Sequence, residues 1–147
     1  MQKSKSAFTM IELVFVIVVL GILAAVAVPR FAATRTDAEI TKGRADIAAI
    51  RSAIVTERQG RLITGDSAWI AKLSNSTTTL FTGVDANQTL LMYGIAAGTG
   101  SGHWQGNANG LDYTFNVQGT DVAFTYNPNT GAFTCNTANA TCKLLTD

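Results

Sequence analysis

The chain has few of the residues that build catalytic or metal sites, with one histidine, two cysteines and two prolines among 147 residues. His103 stands beside Trp104 in a glycine-rich stretch with no acid or nucleophile at a fixed spacing, so we interpret it as a surface histidine. The cysteines form no Cys-x-x-Cys pair and have no histidine partner, which argues against zinc. Without a Ser-His-Asp set, a carboxylate pair or a metal cluster in the sequence, an enzyme is not expected.

Charge is also scarce, at 14% of residues, and it is unevenly distributed. Residues 30–61 carry seven basic groups against four acidic ones, whereas residues 62–147 carry two against five. A nucleic-acid-binding protein usually has a basic face, and the C-terminal part has no such footprint, so nucleic acid is an unlikely partner. The basic surplus lies where anionic lipid headgroups or a neighbouring subunit could meet it.

A long apolar run opens the chain. From Phe8 to Val28, over 21 residues, Glu12 is the only charged side chain. As a helix this run would be about 31 Å long, which matches the hydrocarbon thickness of a bilayer. Lys3 and Lys5 precede the run and predict a cytoplasmic N-terminus with the rest of the chain on the periplasmic or outer side. A cleaved secretory signal is the alternative, but the length of the run and the acid near its start argue against it.

The chain after the run is predicted to continue as an amphipathic helix. Large apolar residues recur at intervals that fit one helical face, at Phe31, Ile40, Ile47, Ile50 and Ile54. One helix from Phe8 to about Gln59, ended by Gly60, is therefore expected, with its first half in the membrane. Gly21 and Pro29 interrupt it. Both are ordinary in membrane helices, and the functional interpretation is that the stretch between them can bend or unwind.

Thr, Asn, Gly and Ser dominate after Gly60, and the clearest strand signals come late. Alternating apolar residues predict strands over residues 111–118, 121–127 and 132–136, joined by turns at 119–120 and 127–131. One apolar face is expected from Leu111, Tyr113, Phe115, Val117, Val122, Phe124 and Tyr126. These strands predict an α+β fold in which the long N-terminal helix packs against a small antiparallel β-sheet head.

The segments between the helix and these strands give weaker signals. Residues 67–73 could form a short helix, residues 75–89 read as a loop with an edge strand, and residues 98–110 as a flexible loop.

Residues 5–31, KSAFTMIELVFVIVVLGILAAVAVPRF, resemble the N-terminus of type IV pilins and type II secretion pseudopilins. The shared pattern is a short basic leader, a small residue, Phe, a glutamate at the fifth mature position, an apolar span and then proline. The resemblance implies that prepilin peptidase cuts between Ala7 and Phe8 and methylates the new amine of Phe8. Most members have glycine at the position of Ala7, and alanine is comparably small.

The resemblance also implies a role for Glu12, since a carboxylate close to hydrocarbon needs a partner. In the family, this glutamate attracts the N-terminal amine of a subunit already in the filament. Gly21 and Pro29 correspond to the flexible region of the family helix. The implied domains are a leader (1–7), the transmembrane half of the helix (8–29) and a periplasmic or extracellular head (30–147).

The implied function is that of a structural subunit of a type IV pilus or a type II secretion pseudopilus. Its implied partners are other pilin subunits, prepilin peptidase, an inner-membrane assembly platform and the lipid bilayer. The chain would sit in the bacterial inner membrane as a single-pass protein and pass into a filament on assembly. Alternatives are a minor pilin that binds DNA or another ligand at a filament tip, and a signal-anchored periplasmic protein that does not polymerise.

The C-terminal cysteines leave two interpretations open. Cys135 and Cys142 are separated by six residues, and they are either two free thiols or a disulfide formed in an oxidising compartment. They resemble the disulfide-bounded region near the end of many pilins, a surface often used for subunit contacts or adhesion.

Calcium and glycosylation are lesser possibilities. No cofactor is expected, although major pseudopilins hold calcium in a C-terminal loop. The oxygen donors Asp112, Asp121, Asn127 and Asn129 show no calcium-ligand spacing. N-x-S/T sequences occur at Asn75, Asn87 and Asn139, and only the one at Asn87, with its upstream acid, hints at bacterial glycosylation.

Overall fold

A computed structural model describes residues 8–84 and 90–147, except for the side chains of residues 32 and 33. The chain divides into two compact units between Arg35 and Thr36. In chain order the elements are α1 (Met10–Ile63), β1 (Thr79–Leu80), β2 (Ile95–Ala96), β3 (Trp104–Gly106), β4 (Asp112–Val117), β5 (Thr120–Asn127), β6 (Ala132–Cys135) and α2 (Ala140–Thr146). The long helix and the antiparallel strands confirm the predicted α+β class.

The strands form two antiparallel sheets. β1 pairs with β2, and the larger sheet has the order β3-β4-β5-β6. The three predicted strands are β4, β5 and β6, and β1 is the strand expected within residues 75–89. The turn between β4 and β5 lies at Gln118 and Gly119, one residue before the predicted position, because Val117 pairs with Thr120.

Three parts of the head differ from the predictions. β3 lies inside the predicted loop 98–110, since three residues are too few to show an alternating pattern. α2 was not predicted at all, because the helix is only seven residues long. The possible helix over residues 67–73 is wrong: this segment is irregular and buries Ile70 and Leu73, and Leu73 donates its N–H to the carbonyl of Gly110 at 2.9 Å.

Helix α1 ends four residues later than predicted, at Ile63 rather than at about Gln59. Gly60 lies inside the helix. The residue that ends the helix is Gly65, whose φ of +89° is the left-handed conformation that favours glycine. The N–H of Gly65 bonds to the carbonyl of Leu62 at 3.1 Å, and the next N–H bonds to the carbonyl of Arg61 at 2.9 Å. This pair of bonds is a Schellman motif, and it satisfies carbonyls that the helix end leaves open.

The predicted apolar stripe of α1 is buried only in the second unit. Ile47, Ile50 and Ile54 are buried and Ile40 is partly buried in the head. Phe31, in contrast, is 76% exposed, so its inclusion in the stripe is wrong. It precedes Thr36, where the second compact unit begins.

The predicted apolar residues lie on the face of the larger sheet that is turned away from solvent. Leu111 is half-buried, and the buried residues are Tyr113, Phe115, Val117, Val122, Phe124 and Tyr126. Aromatic rings dominate this core: Trp104 packs on Phe115 with ring centroids 4.8 Å apart, and Phe81 stacks on Tyr113 at 4.5 Å. Such ring pairs add about 0.5–1.5 kcal/mol beyond the apolar area that they bury.

Basic residues of α1 attach the helix to the rest of its unit through main-chain carbonyls. Lys42 donates to the carbonyl of Gly102, Arg44 to that of Leu144 at 2.6 Å, and Arg51 to that of Phe133 at 3.1 Å. Further along, the guanidinium of Arg58 lies 3.9 Å from the ring centroid of Trp69, a cation–π contact. Part of the basic surplus of residues 30–61 therefore serves the chain's own fold.

Gly43 marks a close approach between α1 and the rest of the head. A Cβ atom built on Gly43 would lie 2.6 Å from the Phe115 ring and 2.7 Å from the Leu145 side chain. We predict that Gly43→Ala destabilises the head by about 1–3 kcal/mol, because two buried side chains must shift. Thermal unfolding followed by near-ultraviolet circular dichroism measures the change.

Gly60→Ala is the matched control in the same helix. A Cβ there has no neighbour within 4 Å, so alanine should stabilise the helix by about 0.5–1 kcal/mol. Equal effects at both glycines would contradict the close approach at Gly43.

Two buried tyrosines predict a loss of stability in alkali. Tyr113 donates to the carbonyl of Gly110 at 2.9 Å, Tyr126 donates to the carbonyl of Ile70 at 2.9 Å, and burial raises the pKa of each tyrosine to about 12. Because the folded-state pKa exceeds the unfolded value of about 10, their contribution is complete below pH 10 and is lost as the pH rises towards 12. The free energy of unfolding, measured with urea across this pH range, should show the loss. In Tyr113→Phe or Tyr126→Phe, this free energy should fall less steeply with pH.

Candidate functional site

The first part of α1 is apolar and exposed, and it is the candidate functional segment. An 18-residue window in this helix has a mean hydropathy of 3.0 and no share of it is buried in the structure. By length and composition, α1 is the one described helix that could cross a membrane. Leu13, Ile17 and Leu20 are each more than half exposed, so lipid or other protein chains must cover them.

Glu12 lies in the first turn of α1, on the third helical residue. The N–H of Glu12 bonds to the hydroxyl of Thr9 at 3.3 Å and to the carbonyl of Thr9 at 3.1 Å, and the N–H of Leu13 bonds to the same carbonyl at 3.2 Å. Thr9 is therefore the N-cap of the helix, and Thr9 and Glu12 have the Thr-x-x-Glu spacing of a capping box. This role of Thr9 was not predicted, although the Thr-x-x-Glu spacing is visible in the sequence.

The position of Glu12 gives its carboxylate a favourable but small interaction within its own helix. The N-terminal end of a helix carries a partial positive charge, which stabilises a nearby anion by about 0.3–1 kcal/mol. Phe8, the predicted N-terminus after cleavage, directly precedes the N-cap residue and is 76% exposed. Phe8, which would carry the new amine, thus lies one helical turn before Glu12 in the sequence, at the same exposed end of α1.

Gly21 and Pro29 both lie inside α1, and the helix continues through them. Pro29 has no N–H to donate to the carbonyl four residues earlier, so the hydrogen-bond ladder has one gap at this point. A Cβ on Gly21 would meet no atom within 4 Å, so no contact requires glycine there. Bending or unwinding between these residues remains a prediction.

Cys135 and Cys142 are joined by a disulfide in the structure, with Cα atoms 6.0 Å apart. The bond connects the end of β6 to α2, whose N-cap is Asn139. Cys142 and Leu145 of α2 are buried, and Arg44 of α1 bonds to the α2 carbonyl of Leu144. The disulfide therefore belongs to a small C-terminal cover over α1.

The four oxygen donors considered for calcium take part in separate hydrogen bonds. Asp112 accepts from Asn109 at 2.7 Å, and Asp121 accepts from Asn116 at 2.7 Å at the other end of the β4–β5 hairpin. Asn127 accepts the N–H of Asn129 at 2.9 Å. Over residues 8–84 and 90–147, no group of three or more His, Cys, Asp or Glu side chains could hold a metal ion.

The remaining residues of interest have local roles. His103 is exposed and its Nδ1 lies 3.1 Å from the carbonyl of Ser101. Asn75 is exposed and accepts a hydrogen bond from Lys72 at 2.8 Å, whereas the side chain of Asn139 caps α2. Asn87 lies outside the described residues. Ala7, on the leader side of the predicted cleavage bond, does so too.

Comparison with known proteins supports the interpretation of this segment. Residues 2–28 match the family model described as the prokaryotic N-terminal methylation motif. This match confirms the predicted resemblance of the N-terminal segment to type IV pilins and type II secretion pseudopilins.

One curated protein is similar to part of the chain. The type II secretion system core protein G of Pseudomonas aeruginosa is 42% identical to the chain over 53 residues, which cover 36% of this chain and 37% of that protein. The match thus spans little more than a third of the relative's length. No solved structure matches the chain.

The N-cap role of Thr9 leads to a prediction about the first turn of α1. Thr9→Ala removes the hydroxyl that accepts the N–H of Glu12, and it should destabilise this turn by about 0.5–2 kcal/mol. Hydrogen exchange of the amides of residues 10–13, measured by NMR in detergent micelles, should accelerate. Thr9→Ser retains the hydroxyl and serves as the control, so equally fast exchange in both variants would contradict the capping role.

Proposed function

We propose that the chain is a structural, non-enzymatic subunit of a type II secretion pseudopilus, processed by prepilin peptidase and polymerised through α1. The observation that carries this proposal is Glu12, a carboxylate at the start of an exposed apolar helix within the matched methylation motif. The similarity to core protein G favours the secretion system over other filament systems. No cofactor is part of the proposal.

The energetics of Glu12 favour pairing between subunits. A carboxylate buried in an apolar environment loses several kcal/mol of solvation, and the partial charge of its own helix end returns only about 0.3–1 kcal/mol. Cleavage after Ala7 would create a cationic amine on Phe8. An amine and a carboxylate about 4 Å apart attract each other by roughly 4 kcal/mol at an effective dielectric constant of 20. An amine on a neighbouring copy would therefore offset the part of this cost that the helix end does not return.

The rest of α1 suits close packing among copies. Ala24, Ala25 and Ala27 are small residues that let neighbouring helices approach. Chains inserted in one membrane share one orientation, so a contact between Glu12 of one copy and Phe8 of the next joins different surfaces. Repetition of such a heterologous contact builds an open helical filament.

The topology follows from the same proposal. Residues 1–7 are the leader, residues 8–29 span the inner membrane, and residues 30–147 include the head on the periplasmic side. Lys3 and Lys5 keep the leader in the cytoplasm. The disulfide of Cys135 and Cys142 fits an oxidising compartment such as the periplasm. The partners proposed are further pilin-like subunits, prepilin peptidase, an inner-membrane assembly platform and the bilayer.

A type IV pilus is the second candidate. It is favoured by one observation, the disulfide near the C-terminus, which resembles the bridged region of many pilins. Both candidates require the same processing and the same pairing of Glu12.

Removing the Glu12 carboxylate should separate processing from assembly. In Glu12→Ala we expect cleavage after Ala7 to proceed and incorporation into sheared filaments to fall at least tenfold, because the intersubunit pair is lost. Mass spectrometry of the mature N-terminus measures cleavage and methylation of Phe8, and immunoblotting of sheared material measures assembly.

Glu57→Ala is the matched control, since it removes a carboxylate from the same helix outside the apolar run. Its partner is Arg61, at 3.0 Å in the same chain, so filaments should form normally. Normal filaments from Glu12→Ala, or a functional protein that retains residues 1–7, would contradict the proposal.

A further inference from the structure

The start of the second compact unit holds a group of polar contacts that the proposed function does not use. We name it the junction clamp, and it comprises Thr36, Glu39 and Lys42 of α1 with Ser101, Gly102 and Gln118 of two turns in the head. The three helix residues are spaced three apart, so they lie on one side of α1 over less than two turns. All six residues belong to the unit that begins at Thr36.

Glu39 is the centre of the clamp. It is only 8% exposed, although it carries a carboxylate. Its Oε2 accepts from the Ser101 hydroxyl at 2.6 Å and from the Gln118 N–H at 3.2 Å, while the same N–H lies 2.7 Å from the Ser101 oxygen. A buried carboxylate is retained only where hydrogen bonds replace its water, and this triangle supplies them.

The clamp also fixes two turns of the head. The first is the two-residue turn between β4 and β5, where Gln118 has a φ of +49° and Gly119 a φ of +79°. Such a turn requires positive φ at both residues, and a residue with a Cβ, such as Gln118, rarely adopts this conformation. Gln118 donates its main-chain N–H to the carboxylate of Glu39 and its side-chain amide to the hydroxyl of Thr36. The second turn is held at Gly102, where Lys42 donates to the carbonyl and a Cβ would lie 3.4 Å from Glu39.

We infer that Glu39 is a positioning residue that sets where α1 becomes fixed to the head. Before the clamp, Phe31 and the large apolar side chains described between Phe8 and Val28 are exposed. After it, Gly43, Ile47 and Ile50 are buried in the head. The clamp thus makes Thr36 the first residue of α1 whose helical state depends on the head.

Hydrogen exchange of the processed full-length protein in phosphatidylglycerol–phosphatidylethanolamine nanodiscs tests the inference, with mass spectrometry resolving residues 36–43 and 47–54. In Glu39→Ala we expect exchange over residues 36–43 to accelerate about tenfold or more, because the Ser101 hydroxyl and the Gln118 N–H lose the carboxylate that ties them to α1. Residues 47–54 should keep their protection. Glu39→Gln supplies an amide oxygen in place of the carboxylate oxygen, so it should restore most of the protection.

Asp37→Ala is the control, since it removes an exposed carboxylate two residues away and should leave exchange unchanged. If Glu39→Ala does not give a folded protein, Ser101→Ala provides a second variant with a smaller acceleration over residues 36–43. The inference is overturned if the folded variant exchanges like the wild type, if residues 47–54 lose protection equally, or if Glu39→Gln fails to rescue. The measurement uses unassembled protein, so its outcome is separate from the filament test of Glu12.

Discussion

The apolar exposed half of α1 is the constraint on which the rest of the molecule depends. Its large apolar side chains are exposed in the described chain, so lipid or other protein chains must cover them. Glu12 adds a condition to this requirement, because whatever covers the helix must also compensate a carboxylate. The helix meets both conditions only together with other molecules, and for this reason we propose a polymerising subunit rather than a protein that remains single.

The second half of α1 is held in the head by packing and by hydrogen bonds. Its isoleucines complete a core made largely of aromatic rings, and its basic residues bond to carbonyls at three separated points of the head. The Schellman motif at Gly65 then turns the chain away from the helix. Packing holds this half of the helix along one side, and hydrogen bonds hold it at the edges of that side. The position of these helical residues along the rest of the head is therefore fixed.

The sequence predicted the parts whose signals are long and regular. The apolar run, the amphipathic stripe from Ile40 to Ile54 and the alternating strands β4 and β5 each repeat a pattern several times, so they could be recognised without the structure. Strand β3 and helix α2 could not, because three and seven residues are too short for a period to stand out. The helix end was misplaced because Gly60 is a stop signal only where a left-handed turn follows, and that turn lies at Gly65.

The same reasoning explains what was predictable about the candidate site. Glu12 was evident because a lone charge in an apolar run is conspicuous, whereas the capping role of Thr9 rests on one hydroxyl and its geometry. The clamp around Glu39 joins residues about 60 and 80 positions apart, and no local pattern reveals such contacts. Long-range hydrogen bonds of this kind were visible only once the fold had placed the two turns beside α1.

The arginines that hold the C-terminal cover have one further consequence. Arg44 and Arg51 recognise the main-chain carbonyls of Leu144 and Phe133, and every amino acid has such a carbonyl. Outward-facing positions on β6 and α2, such as Thr134 and Lys143, can therefore change identity during evolution without loosening this attachment. The outer surface of this part of the head can therefore vary while the inner framework stays the same.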